Sequence, residues 1–306
     1  MVRSKTAWPP VWGKKAALCA ALVLLAGALA LCWAYGLRHE PPLTPVNPEA
    51  PIAEEELDAD FPRLAVTRAD QDTDPDGAVP VDLSQEKEEL LITSGGKYRL
   101  FGKLNGRIRV SAEEQTVHLI LDGATVLSGE GPALWAESTG KLILTLAEGT
   151  ENAITDSGRY QRYLEDGVES CVFARGDLTV NGAGKLAVTG LYKDALRSSN
   201  VVKIVGGEIT IRCKRTGIHG TDGIRVSGGS ISLSTEKNGF RTTKSGADGR
   251  GNIVVSGGDH QVIAGRCAFL TARGDLYIYN CTIRDTSVVA THNVGGKVSI
   301  QSGCIQ

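Results

Sequence analysis

The back third of the chain repeats a short alternation of apolar and polar positions. VKIVGGEITI, IRVSGGSISL, IVVSGGDHQV, LYIYNCTIRD and VSIQSGCIQ align one beneath another. Their first apolar residues, Val202, Ile224, Ile253, Leu276 and Val298, follow at intervals of 22, 29, 23 and 22, and Leu178 extends the series 24 residues upstream. A period near 22 built from β-branched strands marks a solenoid. Within a repeat Val202 alternates to Ile204 and then Ile209 to Ile211, so one set of side chains turns inward and the other meets solvent. The pairs Gly206-Gly207, Gly228-Gly229 and Gly257-Gly258 fall at one place in each repeat, where φ > 0 lets the chain turn a corner. A further strand precedes each repeat: DALRSS, TGIHGT, NGFRTT and CAFLTA, with Leu196, Ile218, Phe240 and Leu270 read as inward. Three strands per turn predict an all-β domain over 79–306, coiled as a single-stranded parallel β-helix. The leucine-rich-repeat frame is absent, and a sandwich gives no such corner spacing.

Stacking the turns also stacks the outward residues, about 4.8 Å apart. One position after each inward residue of the preceding strand stand Arg197, His219 and Arg241; three positions before stand Lys193, Arg215 and Lys237. Ser199, Thr221 and Thr243 add a hydroxyl ladder. Stacked like charges repel. A merely solvated basic face is the plain reading of these columns. The functional reading is a strip for an extended polyanion, whose carboxylates repeat as the cations do and suit the Arg fork. Trp135 is read as heading the column that continues through Ala174, Arg197 and His219, where it either stacks on a sugar ring or packs under the 157–169 loop. That loop brings Arg159, Tyr160, Arg162 and Tyr163 to the same side.

The front of the chain is different. Ala16–Leu37 runs 22 residues without a charge behind Arg3, Lys5, Lys14 and Lys15. That length crosses a bilayer with the basic leader in the cytoplasm, so residues 1–37 are expected to be a leader and single-pass signal anchor, with the β-helix on the extracellular side. A cleaved signal peptide ending at Ala28-Leu29-Ala30 is the alternative, and gives a secreted protein. Residues 38–78, proline-rich and acidic with little apolar material, are expected to be a disordered stalk. Within it Asp72, Asp74 and Asp76 open like a calcium loop, but Leu83 stands where the closing carboxylate belongs.

Lys and Arg total 33 against 35 for Asp and Glu, which gives no support to nucleic acid as a partner. Seven cysteines show no metal-site spacing and read as small buried thiols. One disulfide among the five beyond residue 37 is compatible with export, but the sequence does not name it. The last repeat stops at Gln306 before finishing its turn, so its unpaired backbone is expected either to associate with a partner or to be covered by a capping turn beyond this sequence.

GKYRLFGKLNGRIRV, VHLILDGATVLSGEGPALWAES, KLILTLAEGTENAITDSGRY, FARGDLTVNGAGKLAVTG and the GG repeats resemble a bacterial surface family, the right-handed parallel β-helix carbohydrate-binding domains related in fold to polysaccharide lyases. The resemblance runs from about Val79 to the C-terminus and is most specific at Leu144–Asn152 followed by Thr155-Asp156-Ser157. It implies an exported binder of plant-type polysaccharide, acidic pectic chains included, with calcium held at carboxylates on the helix. One departure matters. Where that family repeats Asp-Gly-Ile, this chain keeps the acid only at Asp194, and Asp222 at the next corner is the other candidate calcium ligand.

A β-eliminating lyase is the enzymatic alternative; it needs a base, for which Lys193, Arg215 or Lys237 are available, and calcium to acidify the substrate proton. A glycosidase needs two facing carboxylates, for which Asp194 and Asp222 are candidates by proximity alone. A structural or adhesive protein with a protein partner is the non-carbohydrate alternative. The residues favour a non-catalytic binder.

Overall fold

The computed structural model describes residues 54–163, 166–246 and 248–306. From Val79 onward the chain coils into a parallel β-solenoid whose turns each lay one strand on each of three sheets. Sheet 1 contains Ser170–Ala174, Asp194–Ser198, Thr216–Gly220, Asn238–Arg241, Cys267–Thr271 and Ala290–Val294. Sheet 2 contains Asp177–Gly182, Val201–Ile204, Gly223–Val226, Asn252–Val255, Leu276–Ile278 and Val298–Ile300. Sheet 3 contains Glu151–Thr155, Lys185–Gly190, Glu208–Cys213, Ser230–Thr235, Asp259–Ala264 and Thr282–Asp285. Near the start two long strands, Arg107–Leu127 and Leu134–Leu146, bend through successive sheets at register shifts.

The hydrophobic period reads directly onto sheet 2. Leu142, Leu178, Val202, Ile224, Ile253, Leu276 and Val298 pair in one parallel register, and all but Val298 are fully buried. Each such side chain contributes about 1.5–3 kcal/mol of burial. On sheet 3 the core column runs Leu186, Ile209, Ile231, His260 and Ile283, so one histidine stands among aliphatic residues. It is 1% exposed and bonds the Gly257 carbonyl through Nε2 at 2.8 Å. The corners need glycine, since Gly207, Gly229 and Gly258 have φ of 93°, 80° and 96°.

Sheet 1 departs from expectation by one residue at two places. Phe240 pairs with Phe269, and their rings stack at 5.1 Å, so Phe269 and not Leu270 points inward. Likewise Trp135 pairs with Phe173, not Ala174. In CVFA and CAFL two neighbouring positions are apolar, and hydrophobicity alone cannot choose between them; a one-residue slip flips the whole strand.

Residues 38–78 are not a stalk throughout. From Phe61 the chain lies as a strap along the outer face of sheet 2 and climbs back toward the first turns before entering Val79–Asp82. Phe61 meets the Tyr277 ring at 5.4 Å, and Leu64, 2% exposed, packs with Val201, Val254, Tyr277 and Tyr279. Asp70 then plugs into sheet 2 with no exposure. It accepts from Lys141 at 2.8 Å, Thr179 at 2.6 Å, Lys203 at 3.0 Å and the Thr67 N–H at 2.9 Å. Farther on, Lys97 donates to the Asp74 carbonyl at 2.7 Å. Composition misses this docking because two apolar side chains and one aspartate suffice once a preformed surface supplies their partners. The expected anchor, 16–37, lies outside the described residues, as do 38–53 of the expected stalk. Among the described residues no helix is long and apolar enough to cross a membrane.

Candidate carbohydrate site on sheet 1

The strap covers sheet 2. Sheet 3 is open but has no surplus of cations where it forms a cleft of about 430 Å³, because its one lysine, Lys185, sits between Glu151 at 3.7 Å and Glu208 at 3.8 Å. Sheet 1 carries the uncompensated charge. Its outward column runs Arg109, Trp135, Phe173, Arg197, His219, Arg241 and Leu270 in continuous register. Backbone hydrogen bonds define a second column at the preceding corner: Glu169, Lys193, Arg215, Lys237 and Arg266.

Glu169 is the member that the basic columns had hidden. It accepts from Lys193 at 2.5 Å and Arg215 at 2.8 Å and lies 3.7 Å from Arg197. Counting three back from inward Val172, as for the turns below, reaches it. Burial would raise the Glu169 carboxyl, but Lys193 and Arg215 hold it below the usual range.

Asp194, fully buried, is the hub. Arg215 donates from Nε to Oδ1 at 2.7 Å and from Nη2 to Oδ2 at 2.8 Å; the Thr216 N–H adds 3.1 Å to Oδ1, and His219 Nδ1 lies 3.1 Å from Oδ2. Burial alone would lift this carboxyl, yet the bonds from Arg215 and His219 hold it down at about 2. An ionised carboxylate only accepts, so His219 donates from Nδ1 and keeps its lone pair on Nε2. Burial pushes the His219 pKa down, against the pull of Asp194, and Arg197 and Arg241 push the same way. The neutral ring therefore keeps an unprotonated Nε2, itself buried, between two guanidinium groups in its own column.

Unsatisfied atoms gather on this sheet. Trp135 Nε1, Ser170 Oγ, Arg197 Nε, Thr216 Oγ1, His219 Nε2 and Asn238 Oδ1 are buried without a hydrogen-bond partner. Arg241 is half-buried and has no ion pair among the described residues, and Lys237 is exposed. Arg197 is half-buried over the Phe173 ring, 5.7 Å from its centroid.

The aromatic group bounds the strip on one side. Trp135 is half-buried and meets Tyr163 edge-on at 5.7 Å, so the 157–169 loop packs over it. Gly131, at φ 74°, makes room, since a Cβ there would sit 2.2 Å from the Tyr163 ring. Tyr160 is not a surface residue, contrary to expectation. It is 2% exposed, stacks on Tyr192 at 4.4 Å, and spends its hydroxyl on Asp156 at 2.7 Å and the Ser170 carbonyl at 2.8 Å. It positions the loop and cannot reach a ligand. Asp156, 1% exposed, is pushed up to about 6 by burial, against the bonds from Tyr160 and Leu191.

The two aspartates expected to hold calcium do not fit it. Calcium takes six to eight oxygens at about 2.3–2.6 Å. Both oxygens of Asp194 are engaged by Arg215 and His219, and Asp222 faces Arg63 at 2.8 Å and Lys244 at 3.2 Å. Among the described residues no three His, Cys, Asp or Glu side chains converge.

The family model described as carbohydrate-binding domain-containing protein matches residues 86–303, well over half of the chain. The chain belongs to that family. A carbohydrate-binding domain-containing protein of Acetivibrio thermocellus is 33% identical over 148 residues, 46% of this chain and 51% of its own length. The chain thus spans about half the length of the curated relative it matches. Among solved structures, a polysaccharide lyase-like protein from C. thermocellum, a gadolinium derivative, superposes with a TM-score of 0.69 at 26% identity. That match covers 71% of this chain and 89% of the other.

Proposed function

We propose that this family member is a non-catalytic, cell-surface binder of acidic polysaccharide, and that sheet 1 holds the polymer. One observation carries the reading: the half-buried guanidinium groups of Arg197 and Arg241 stand in one outward register with no acidic residue between them, on either side of a His219 ring that Asp194 fixes. A uronate-type sugar offers the complement, a carboxylate for the guanidinium groups. Lys237 continues the positive strip, and Lys193 and Arg215 support it from behind while tied to Glu169 and Asp194. Trp135 bounds the strip with its indole edge. The coil is taken as right-handed, the sense that crossovers between parallel strands almost always adopt. Export and anchoring through residues 16–37 belong to the same proposal, on the strength of the apolar run and its basic leader.

Affinity electrophoresis tests the ligand class. The chain should be retarded in gels containing polygalacturonate and run freely in neutral glucan; equal mobility in both rejects the reading. A second reading, β-elimination, draws on the Asp194–His219 pair, because a carboxylate-oriented neutral imidazole is also the form of a general base. Lys193 and Arg215 no longer serve as bases in that reading, each being bonded to a carboxylate. Incubation with polygalacturonate should give no absorbance from unsaturated products; its appearance would make the protein a lyase.

A further inference from the structure

We propose that Cys281 and Cys304 form a disulfide that closes the turn between them. Ile283 bridges to Ile305: its N–H donates to the Cys304 carbonyl at 2.7 Å, and the Gln306 N–H donates to the Ile283 carbonyl at 2.9 Å. That register sets Cys304 beside Thr282, one residue from Cys281. Neighbouring strands lie about 4.8 Å apart and residues rise about 3.3 Å along a strand, which places the two Cα atoms roughly 6 Å apart, inside the span of a disulfide. Both side chains turn to the same core: Cys304 is 4% exposed and Cys281 packs against that cluster. Each follows a left-handed corner residue, Asn280 at φ 52° and Gly303 at φ 84°, which swings the thiol inward off the strand. Cys304 lies near enough to push the Cys281 thiol up, and its own thiol meets Gln301 Oε1, at 4.0 Å. Cys171 and Cys213 are disposed differently, donating to the Ile154 carbonyl at 3.6 Å and to Thr235 Oγ1 at 3.5 Å.

Burial and the neighbouring thiol push Cys281 up to about 12, so thiolate is scarce once the turn has closed. The bond therefore forms while the chain folds. One thiolate attacks the disulfide of oxidised glutathione and releases one glutathione; the second cysteine sulfur then attacks the mixed disulfide and displaces the other. The protein gives up two protons and two electrons, and one glutathione disulfide leaves as two thiols.

The test refolds the reduced full chain in detergent with a buffer of oxidised and reduced glutathione. Thiols counted under denaturant should fall from seven to five, and peptide mapping should join Cys281 to Cys304. Cys281→Ser should leave six thiols and no crosslink. Retention of all seven thiols, or a crosslink from either residue to a different cysteine, overturns the proposal.

Discussion

Arg215 grips Asp194 with two donors, Nε at 2.7 Å and Nη2 at 2.8 Å, from the turn below. The pair turns a column of stacked cations into a supported surface. Asp194 takes up the charge of Arg215 and orients His219, so the cations that face outward need less internal compensation. Because Asp194 is fully buried, Asp194→Ala strands the guanidinium against the sheet. We expect a loss of about 3 kcal/mol in urea unfolding, toward the lower end for a broken buried pair because Arg215 keeps some solvent contact. Unaltered unfolding would mean that the pair contributes nothing net.

Stability should depend on pH in two opposing ways. Asp194, held at about 2, and Asp70, held lower still by Lys141, Thr179, Thr67 and Lys203 against its burial, release protons more readily folded than unfolded, where an aspartate titrates near 3.8. Their contribution is complete above that value and is lost as pH falls through the folded pKa. Asp156 runs the other way. Lifted by burial to about 6, it contributes stability that is complete below 3.8 and is lost as pH rises through 6. Thermal midpoints should therefore decline gently between those values in the wild type. In Asp156→Asn that decline should vanish while the steep acid limb remains; a decline that persists in the variant assigns it to another group.

The strap can be released by a single substitution. Asp70→Ala leaves Lys203, 3% exposed at its side chain, without its carboxylate, and should cost about 3–5 kcal/mol. Limited proteolysis should then cut between residues 61 and 78, where the wild type resists. Equal resistance in both would show that Phe61 and Leu64 hold the strap by themselves.

Much of the coil was readable from the sequence because the same apolar residue type returns to the same wall every turn. Leu178, Val202, Ile224, Ile253, Leu276 and Val298 fall into register with no correction. Reading failed where two apolar residues adjoin, at Phe173 and at Phe269, since periodicity of two has no anchor there. The site was half legible. Residue counts found the column of Arg197, His219 and Arg241 and that of Lys193, Arg215 and Lys237 but stopped one turn short of Glu169 in the second, and they gave no hint that Asp194 is bonded to Arg215 and not to a metal. Tyr160 looked like a surface aromatic because its loop is polar; its burial depends on Asp156 and Tyr192, which only the folded chain brings together. The strap escaped for a related reason, since its partners Lys141, Thr179 and Lys203 lie 71, 109 and 133 residues from Asp70.

The central claim is that Arg197 and Arg241 hold an acidic polysaccharide, and the most direct measurement is the affinity of the full chain for polygalacturonate, wild type against the Arg197→Ala, Arg241→Ala double variant, at low and raised salt. The wild type should bind and weaken as salt rises. The double variant should bind at least about tenfold more weakly, a loss of about 1.4 kcal/mol, with a shallower salt dependence. Equal affinity and equal salt dependence in the two proteins would contradict the account and leave sheet 1 as a solvated basic face.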